Sequence, residues 1–436
     1  MPQISILWNC FSSVHNIQPL INKTYPVADS ASGIWIYNRT GQSWMDGSSG
    51  AITCSLGHSH PRILQAMQQQ ASRLQFVYRS QFGSEAAEAL AARLCELSPG
   101  GVYAHSFFVN SGTEAMETAM KVAWQHWQEQ GLHTKKLFIT RKKSYHGITQ
   151  GALSLTGHPL RRKRFEDQLE NYPVLAADME ETPLETQVEE LEQTIARLGA
   201  DQVAAFVAEP VVGAAGAAIH PPPGYYQAVA EVCRRNRILF IADEVMTGLG
   251  RTGEWFGLNH WETTADILAV GKSLGAGYAP IAATLMTSRV LEPIRNGSGL
   301  IMSGHTYSAH PLSCAVALEV LNTLRDSDLL ANCRVRGSQL LSGLREMMSE
   351  FDIIHKVRGI GLMCGVEFDA SSAGIQRRVI DACFEEGLLV YPSVGGVSGS
   401  DENAVLIAPP LIITESQLDQ LLTKWHLALR IISQKQ

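Results

Sequence analysis

The sequence predicts an α/β protein: a large domain on a mainly parallel seven-stranded sheet flanked by helices, plus a smaller α+β domain drawn from both termini. Three observations carry this. From about Gly101 to Thr287, short runs rich in Val, Ile and Phe alternate with helical patterns, the signature of a parallel sheet covered on both faces. After about His310 the texture changes to two long amphipathic helices followed by short strands and further helices. A chain of 436 residues also exceeds what one compact core usually holds.

In chain order, GIWIYNRTGQSWMDG gives two short alternating runs around an Arg-Thr-Gly turn, which predicts a hairpin. Two strands alone bury too little, so residues 1–55 are expected to pack with the small domain. Residues 56–310 are expected to form the large domain. Its candidate strands are SFFV, KLFIT, GALSL, VAAFVAE, ILFIADEV, ILAVG and APIAATLMT, with candidate helices from Thr113 to Gln128, Gln187 to Leu198 and Tyr225 to Arg235. HPPPGYY at 220–226 reads as a strand-to-helix loop. Residues 311–436 are expected to supply two long helices, IIHKVRG, GLMCGVEF, another helix, LLVYP and a last helix from Glu415. No internal repeat or low-complexity tract is visible.

Lys plus Arg number 35 and Asp plus Glu 42, a formal charge of -7, so no basic field is available to gather nucleic acid or anionic lipid. Small-molecule partners are expected. Eight cysteines are scattered, without a CxxC pair or a Cys/His cluster at metal-ligand spacing, which suits a reducing compartment and predicts no metal site. The start MPQISILWNC lacks a basic segment leading into an apolar core, and the most apolar long stretch, Val203 to Ile219, is broken by Glu209 and Pro210. A cytoplasmic protein without a membrane span is expected.

Three local signals carry chemistry. ILFIADEV puts Asp243 at the carboxyl end of an apolar strand, where open α/β sheets build ligand sites, although an acid there is often a turn former or cap. ILAVGKSLGAGYAP puts Lys272 at the end of another apolar strand, between glycines that allow close approach. Burial lowers a lysine pKa, and a neutral amine condenses with a carbonyl; the plain alternative is a lysine reaching out to solvent. In FFVNSGTEAMETAMKVAWQHW a strand runs through Ser111, Gly112 and Thr113 into a helix, so backbone N–H groups and two hydroxyls could cradle a phosphate where an ordinary N-cap is the simpler reading. A phosphate, a ring nitrogen needing a carboxylate and a carbonyl needing an amine together describe pyridoxal 5'-phosphate (PLP).

The segments SGTEAME, SYHG, AEPV, DEVMTGLGRTG, GKSLGAGYAP and HTYSAHPLSCA, in this order and spacing, resemble the class III aminotransferases of PLP fold type I. The likeness runs from WMDGSSGAITCSLGHSHP to APPLIITE. It implies Lys272 as the Schiff-base lysine that also shuttles the proton, and Asp243 at the pyridinium nitrogen. By the same resemblance Tyr145 and His146 of SYHG line the cofactor, with Tyr145 stacked on one ring face and Val245 on the other. Ser111, Gly112 and Thr113 hold the phosphate, joined by Thr306 from a neighbouring subunit, which implies a homodimer. Glu209 is the strand-end acid near the cofactor, and Ile52, Arg79 and Phe82 lie in segments that line the substrate channel.

Gly248, Gly250 and Gly253 spell GxGxxG after a strand, but EWFGLNHWETT offers no long helix to receive a pyrophosphate, so a dinucleotide site is rejected. Two departures from the family pattern stand out. Met246 replaces a common Gln after DEV, and PSVGGVSGSDENAVLIAPP lacks the arginine that clamps a carboxylate in many members. Either another cation such as Arg79 takes that role, or one substrate is not a simple carboxylate, and the sequence favours the second. The expected activity is transamination in two half-reactions, from an amine or amino acid donor to a keto acid or aldehyde acceptor. A racemase or epimerase on the same fold is the alternative, followed by a non-catalytic PLP-fold protein.

Overall fold

The computed structural model describes residues 15–21, 23–369, 374–395 and 401–434. Strands β1 (Ala28–Ser32), β2 (Trp35–Asn38) and β3 (Ser43–Asp46) form an antiparallel meander. Its predicted turn is closed by Asn38, whose Oδ1 accepts from the N–H groups of Thr40 (3.1 Å) and Gln42 (3.0 Å), as Asn does in tight turns.

Strands β4 (His105–Val109), β5 (Leu137–Arg141), β6 (Val174–Leu175), β7 (Val203–Ala208), β8 (Leu239–Glu244), β9 (Ile267–Val270) and β10 (Ala282–Met286) form one seven-stranded sheet, ordered β4-β10-β9-β8-β7-β5-β6. Strand β10 is antiparallel to both neighbours and the other neighbouring pairs are parallel. Every residue of β7 and β8 is buried, which explains why both read as continuous apolar runs rather than alternating ones. Alternation still sorts their side chains: Ala205, Val207, Leu239 and Ile241 enter one core and Phe206 and Phe240 the other. The first core is covered by the helix Gly112–Gln128 through Ala115, Met116, Ala119, Met120 and Ala123, a helical stripe. The second is covered by the helix Tyr225–Arg235 through Tyr225, Tyr226, Val229 and Val232.

One predicted strand is wrong. GALSL lies in a short helix, Gln150–Leu155, and the outermost strand is the two-residue β6 instead. Ala152 to Leu155 are all buried, and a short run buried all round has no period to tell helix from strand. The helix is fixed from outside its own sequence, because the Glu117 carboxylate accepts from Thr149 Oγ1 (2.5 Å) and from the Ala152 N–H (3.0 Å) at its first turn.

Beyond the helices Pro311–Asp326 and Leu329–Glu346 come β11 (Ile354–Ile360), β12 (Met363–Phe368), the helix Ile375–Glu385, β13 (Leu388–Leu389), β14 (Tyr391–Gly395), β15 (Asp401–Ile407) and the helix Glu415–Ser433. The last helix starts at a capping box between Thr414 and Gln417. Strands β11-β12-β15-β14 make an antiparallel sheet. LLVYP divides between two sheets, since β13 pairs in parallel with β3 and so ties the N-terminal meander to the C-terminal region. Strand β15 was not foreseen: Asp401, Glu402 and Asn403 disguise its start, while Ala404 to Ile407 are buried. No helix among the described residues is long and apolar enough to cross a membrane.

Candidate active site

Because β10 runs against both β4 and β9, β4 points the same way as the parallel strands, and the carboxyl ends of β4, β5, β7, β8 and β9 share one edge. That edge is where this architecture places ligands. It carries Ser111 to Thr113, Tyr145 and His146, Glu209, Asp243 and Lys272.

Lys272 follows β9 with φ of 43°, a left-handed conformation that a side-chain-bearing residue seldom adopts. This turn directs Nζ to the carbonyl oxygen of Ala51, to which it donates at 2.8 Å. The buried Asp46 organises that carbonyl's turn, its Oδ1 accepting from the N–H groups of Gly50 (2.9 Å) and Ser48 (3.3 Å). Burial lowers the Lys272 pKa to about 8, against the opposing pull of the Glu209 and Asp243 charges. About a tenth of the amine is therefore unprotonated at neutral pH, far more than for a lysine in water.

Asp243 is 5% exposed and lies with Oδ2 2.8 Å from Nδ1 of His146, itself 2% exposed. Its other oxygen accepts from the Val245 N–H at 3.1 Å. His146 Nε2 is buried without a hydrogen-bond partner. The His146 backbone N–H donates to Thr156 Oγ1 at 2.9 Å, so the ring is held from behind. Glu209 accepts from the N–H groups of Tyr145 (2.8 Å) and Gly213 (3.2 Å), and burial pushes its pKa up. Glu244, next to Asp243, points elsewhere. It accepts from the N–H groups of Gly257 (2.7 Å) and Leu258 (2.8 Å), securing the loop that contains the GxGxxG glycines. That loop leads into a short 3-10 turn, Gly257–Trp261.

Ser111 caps the helix Gly112–Gln128, its Oγ accepting from the Glu114 N–H at 3.2 Å, which leaves its hydroxyl proton available as a donor. Thr113 Oγ1 accepts from the Ile148 N–H at 3.3 Å. A Cβ on Gly112 would lie 2.6 Å from Val245 Cγ1, and one on Gly271 would lie 3.3 Å from the same methyl. Three loops thus meet at Val245 with no room for further side chains.

The remaining predicted residues lie apart from this cluster or beneath it. Ile52 is fully buried packing beside Ala51. Arg79 donates to the Ser303 carbonyl at 3.1 Å, with its guanidinium 4.2 Å from the Phe107 ring centroid. Together with Phe82 it lines a cavity of about 500 Å³ along the outer edge of β4 that includes none of the residues around Lys272. Thr306 is exposed. Sequence reasoning did not single out Tyr391, whose ring centroid is 5.9 Å from Lys272 Nζ, or Arg161, 5.8 Å from the Tyr145 ring. Tyr391 was hidden in an apolar run and Arg161 in the charged stretch RRKR; the Ala51 carbonyl, a backbone atom, leaves no sequence signal. Met246, the departure from the family's Gln, is buried against Gly213, where a Cβ would come within 2.0 Å of its sulfur.

These features fit PLP: a lysine with a lowered pKa, a buried carboxylate with its histidine, and a glycine-bounded helix N-terminus on one edge. The class defined by this fold and site is a PLP-dependent α/β enzyme of fold type I. Over residues 20–429 the chain matches the model of the family described as aminotransferase class-III, and it belongs to that family. It is 46% identical to the uncharacterized aminotransferase YodT of Bacillus subtilis, an alignment covering 94% of this chain and 96% of that one. The fold superposes on a transaminase from the marine bacterium Virgibacillus with a TM-score of 0.91 at 30% identity, covering 97% of this chain and 98% of the other. An (S)-enantioselective omega-transaminase from Thermomicrobium roseum gives 0.89 at 32% identity, covering 96% of each chain. The protein is a PLP-dependent transaminase.

Proposed function

We propose that Lys272 is the residue that carries the cofactor and moves the proton, that Asp243 serves the ring nitrogen, and that the working unit is a cytoplasmic homodimer. The observation that carries the assignment is the meeting of a lysine of lowered pKa with a buried His146–Asp243 pair on one sheet edge. Bound PLP supplies the electron sink that makes a proton on the carbon bearing the substrate nitrogen acidic. An amine with pKa near 8 is matched to take that proton and return it at neutral pH. Asp243, fixed by His146 and by the Val245 N–H, would accept from the ring N–H of the bound cofactor. Tyr145 and Val245 would flank the cofactor ring and help to exclude water. The first turn after Ser111, with the Ser111 and Thr113 hydroxyls, offers donors to a phosphate. Glu209, held by two N–H groups, ties the SYHG loop to β7.

The dimer is supported by exposed apolar side chains around Thr306, namely Phe76, Phe82, Leu300, Met302 and Tyr307, beside the β4-edge cavity. A cytoplasmic setting is supported by scattered free thiols, among them Cys54, Cys95 and Cys233; Cys10 lies outside the described residues. Transamination and racemisation separate on one experiment: incubation of a chiral amine donor with a keto acid acceptor. The assignment predicts a carbonyl product equal in amount to the new amine, with the remaining donor unscrambled. Inversion of the donor without carbonyl product would favour a racemase.

A further inference from the structure

We infer that Arg161 anchors an anionic group of the substrate, a carboxylate or phosphate remote from the reacting nitrogen; this rests on the transaminase site described above. Arg161 belongs to the short helix Pro159–Arg162, which follows the Gln150–Leu155 helix. Its guanidinium carbon is 5.8 Å from the Tyr145 ring centroid, and Tyr145 is bonded through its N–H to Glu209 beside Lys272. Tyr391 also stands near the lysine, its ring centroid 5.9 Å from Nζ. Burial raises the pKa of both tyrosines, and the Arg161 charge opposes the rise in each, so one cation lies near both rings.

The cations around SYHG differ in what they are free to do. Arg141 is buried against the Tyr225 hydroxyl and the Ala177 carbonyl, and Lys143 pairs with Asp178 at 3.1 Å. Arg162 is spent on the carbonyls of Leu153, Ser154 and Thr156, at 3.0, 3.0 and 3.1 Å, and so closes the end of the preceding helix. Arg161 is exposed, and among the described residues no acid pairs with it. An arginine whose fork meets no acid beside the reacting amine is suited to bind an anionic group bidentately. The stretch from Pro392 to Ala408 holds no lysine or arginine, although residues 396–400 lie outside the described structure. Arg161 therefore supplies a cation that the sequence alone did not identify, and the need for a substrate lacking a carboxylate falls away.

The test uses the PLP-loaded enzyme, with Arg161→Ala and Arg161→Lys, and three donors of similar length: 4-aminobutanoate, 3-aminopropylphosphonate and butylamine. For Arg161→Ala, kcat/KM is expected to fall about 10- to 100-fold for an anionic donor and less than about 2-fold for butylamine, with Lys partly restoring the loss. Loss confined to the carboxylate or to the phosphonate names the group bound. A dissociation constant for glutarate, a non-reacting anion, read from its perturbation of the visible band, should weaken by a similar factor. Equal losses for all three donors, or no loss for any with glutarate binding intact, would overturn the assignment. Failure of every donor to bleach the wild-type cofactor would instead count against the transaminase site itself.

Discussion

Gly112→Ala places a methyl group where the structure has no volume for one. The added Cβ would sit 2.6 Å from Val245 Cγ1 and 3.1 Å from Cγ2, so the helix start or the valine must move by most of an ångström to reach ordinary contact. Val245 also faces Gly271, where an added Cβ would lie 3.3 Å from the same methyl. Overpacking of this kind costs about 1–3 kcal/mol. The displaced atoms are the helix N–H groups assigned to the phosphate, so each 1.4 kcal/mol that falls on the bound state weakens PLP binding about tenfold. Titrating apoprotein with PLP in the visible range measures the Kd, and thermal melts of apoprotein measure the rest. The clash predicts coupling: Gly112→Ala/Val245→Ala should be more stable than the two single variants imply by addition. Wild-type affinity and stability in Gly112→Ala, or strict additivity in the double variant, would refute the packing argument.

Asp243→Asn keeps the shape and the Val245 N–H contact but removes the charge, and kcat is expected to drop about 10²–10³-fold while PLP still binds. Steady-state rates with a matched cofactor-occupancy measurement check this. The lowered Lys272 pKa predicts that the rate of PLP uptake by apoprotein rises with pH and levels off above about 8; stopped-flow absorbance across pH 6–10 reads it. The linked stability has the same origin. Between the folded value of about 8 and the higher unfolded value, the unfolded chain binds more protons at this lysine. Its contribution to apoprotein stability therefore increases with pH through that window, and denaturant melts should show the rise shrink in Lys272→Met.

What could be read from the sequence depended on whether local composition fixed the outcome. Strands β7 and β8 were legible because full burial demands apolar residues throughout, and Asp243 and Lys272 interrupt such patterns at their ends. GALSL was misread because its helix is started by the carboxylate of Glu117, a residue on a different element. Strand β15 was missed because it begins with acids. The Lys272 contact with Ala51 bridges 221 positions and involves a backbone oxygen, so no pattern announces it. His146 was legible within SYHG, but its pairing with Asp243 depends on β5 and β8 lying on either side of β7. Arg79 and Phe82 are close in sequence to the early loops, yet the chain sets them along the free edge of β4.

The most direct measurement is the visible spectrum of the purified protein and of Lys272→Ala, recorded before and after each amine of a panel. Assignment of the cofactor to Lys272 predicts a yellow wild-type protein that particular amines bleach and a keto acid restores, and a variant that lacks the lysine-bound band. A wild-type protein that takes up no PLP when supplied with it, or a Lys272→Ala variant with an unchanged band and turnover, would contradict it.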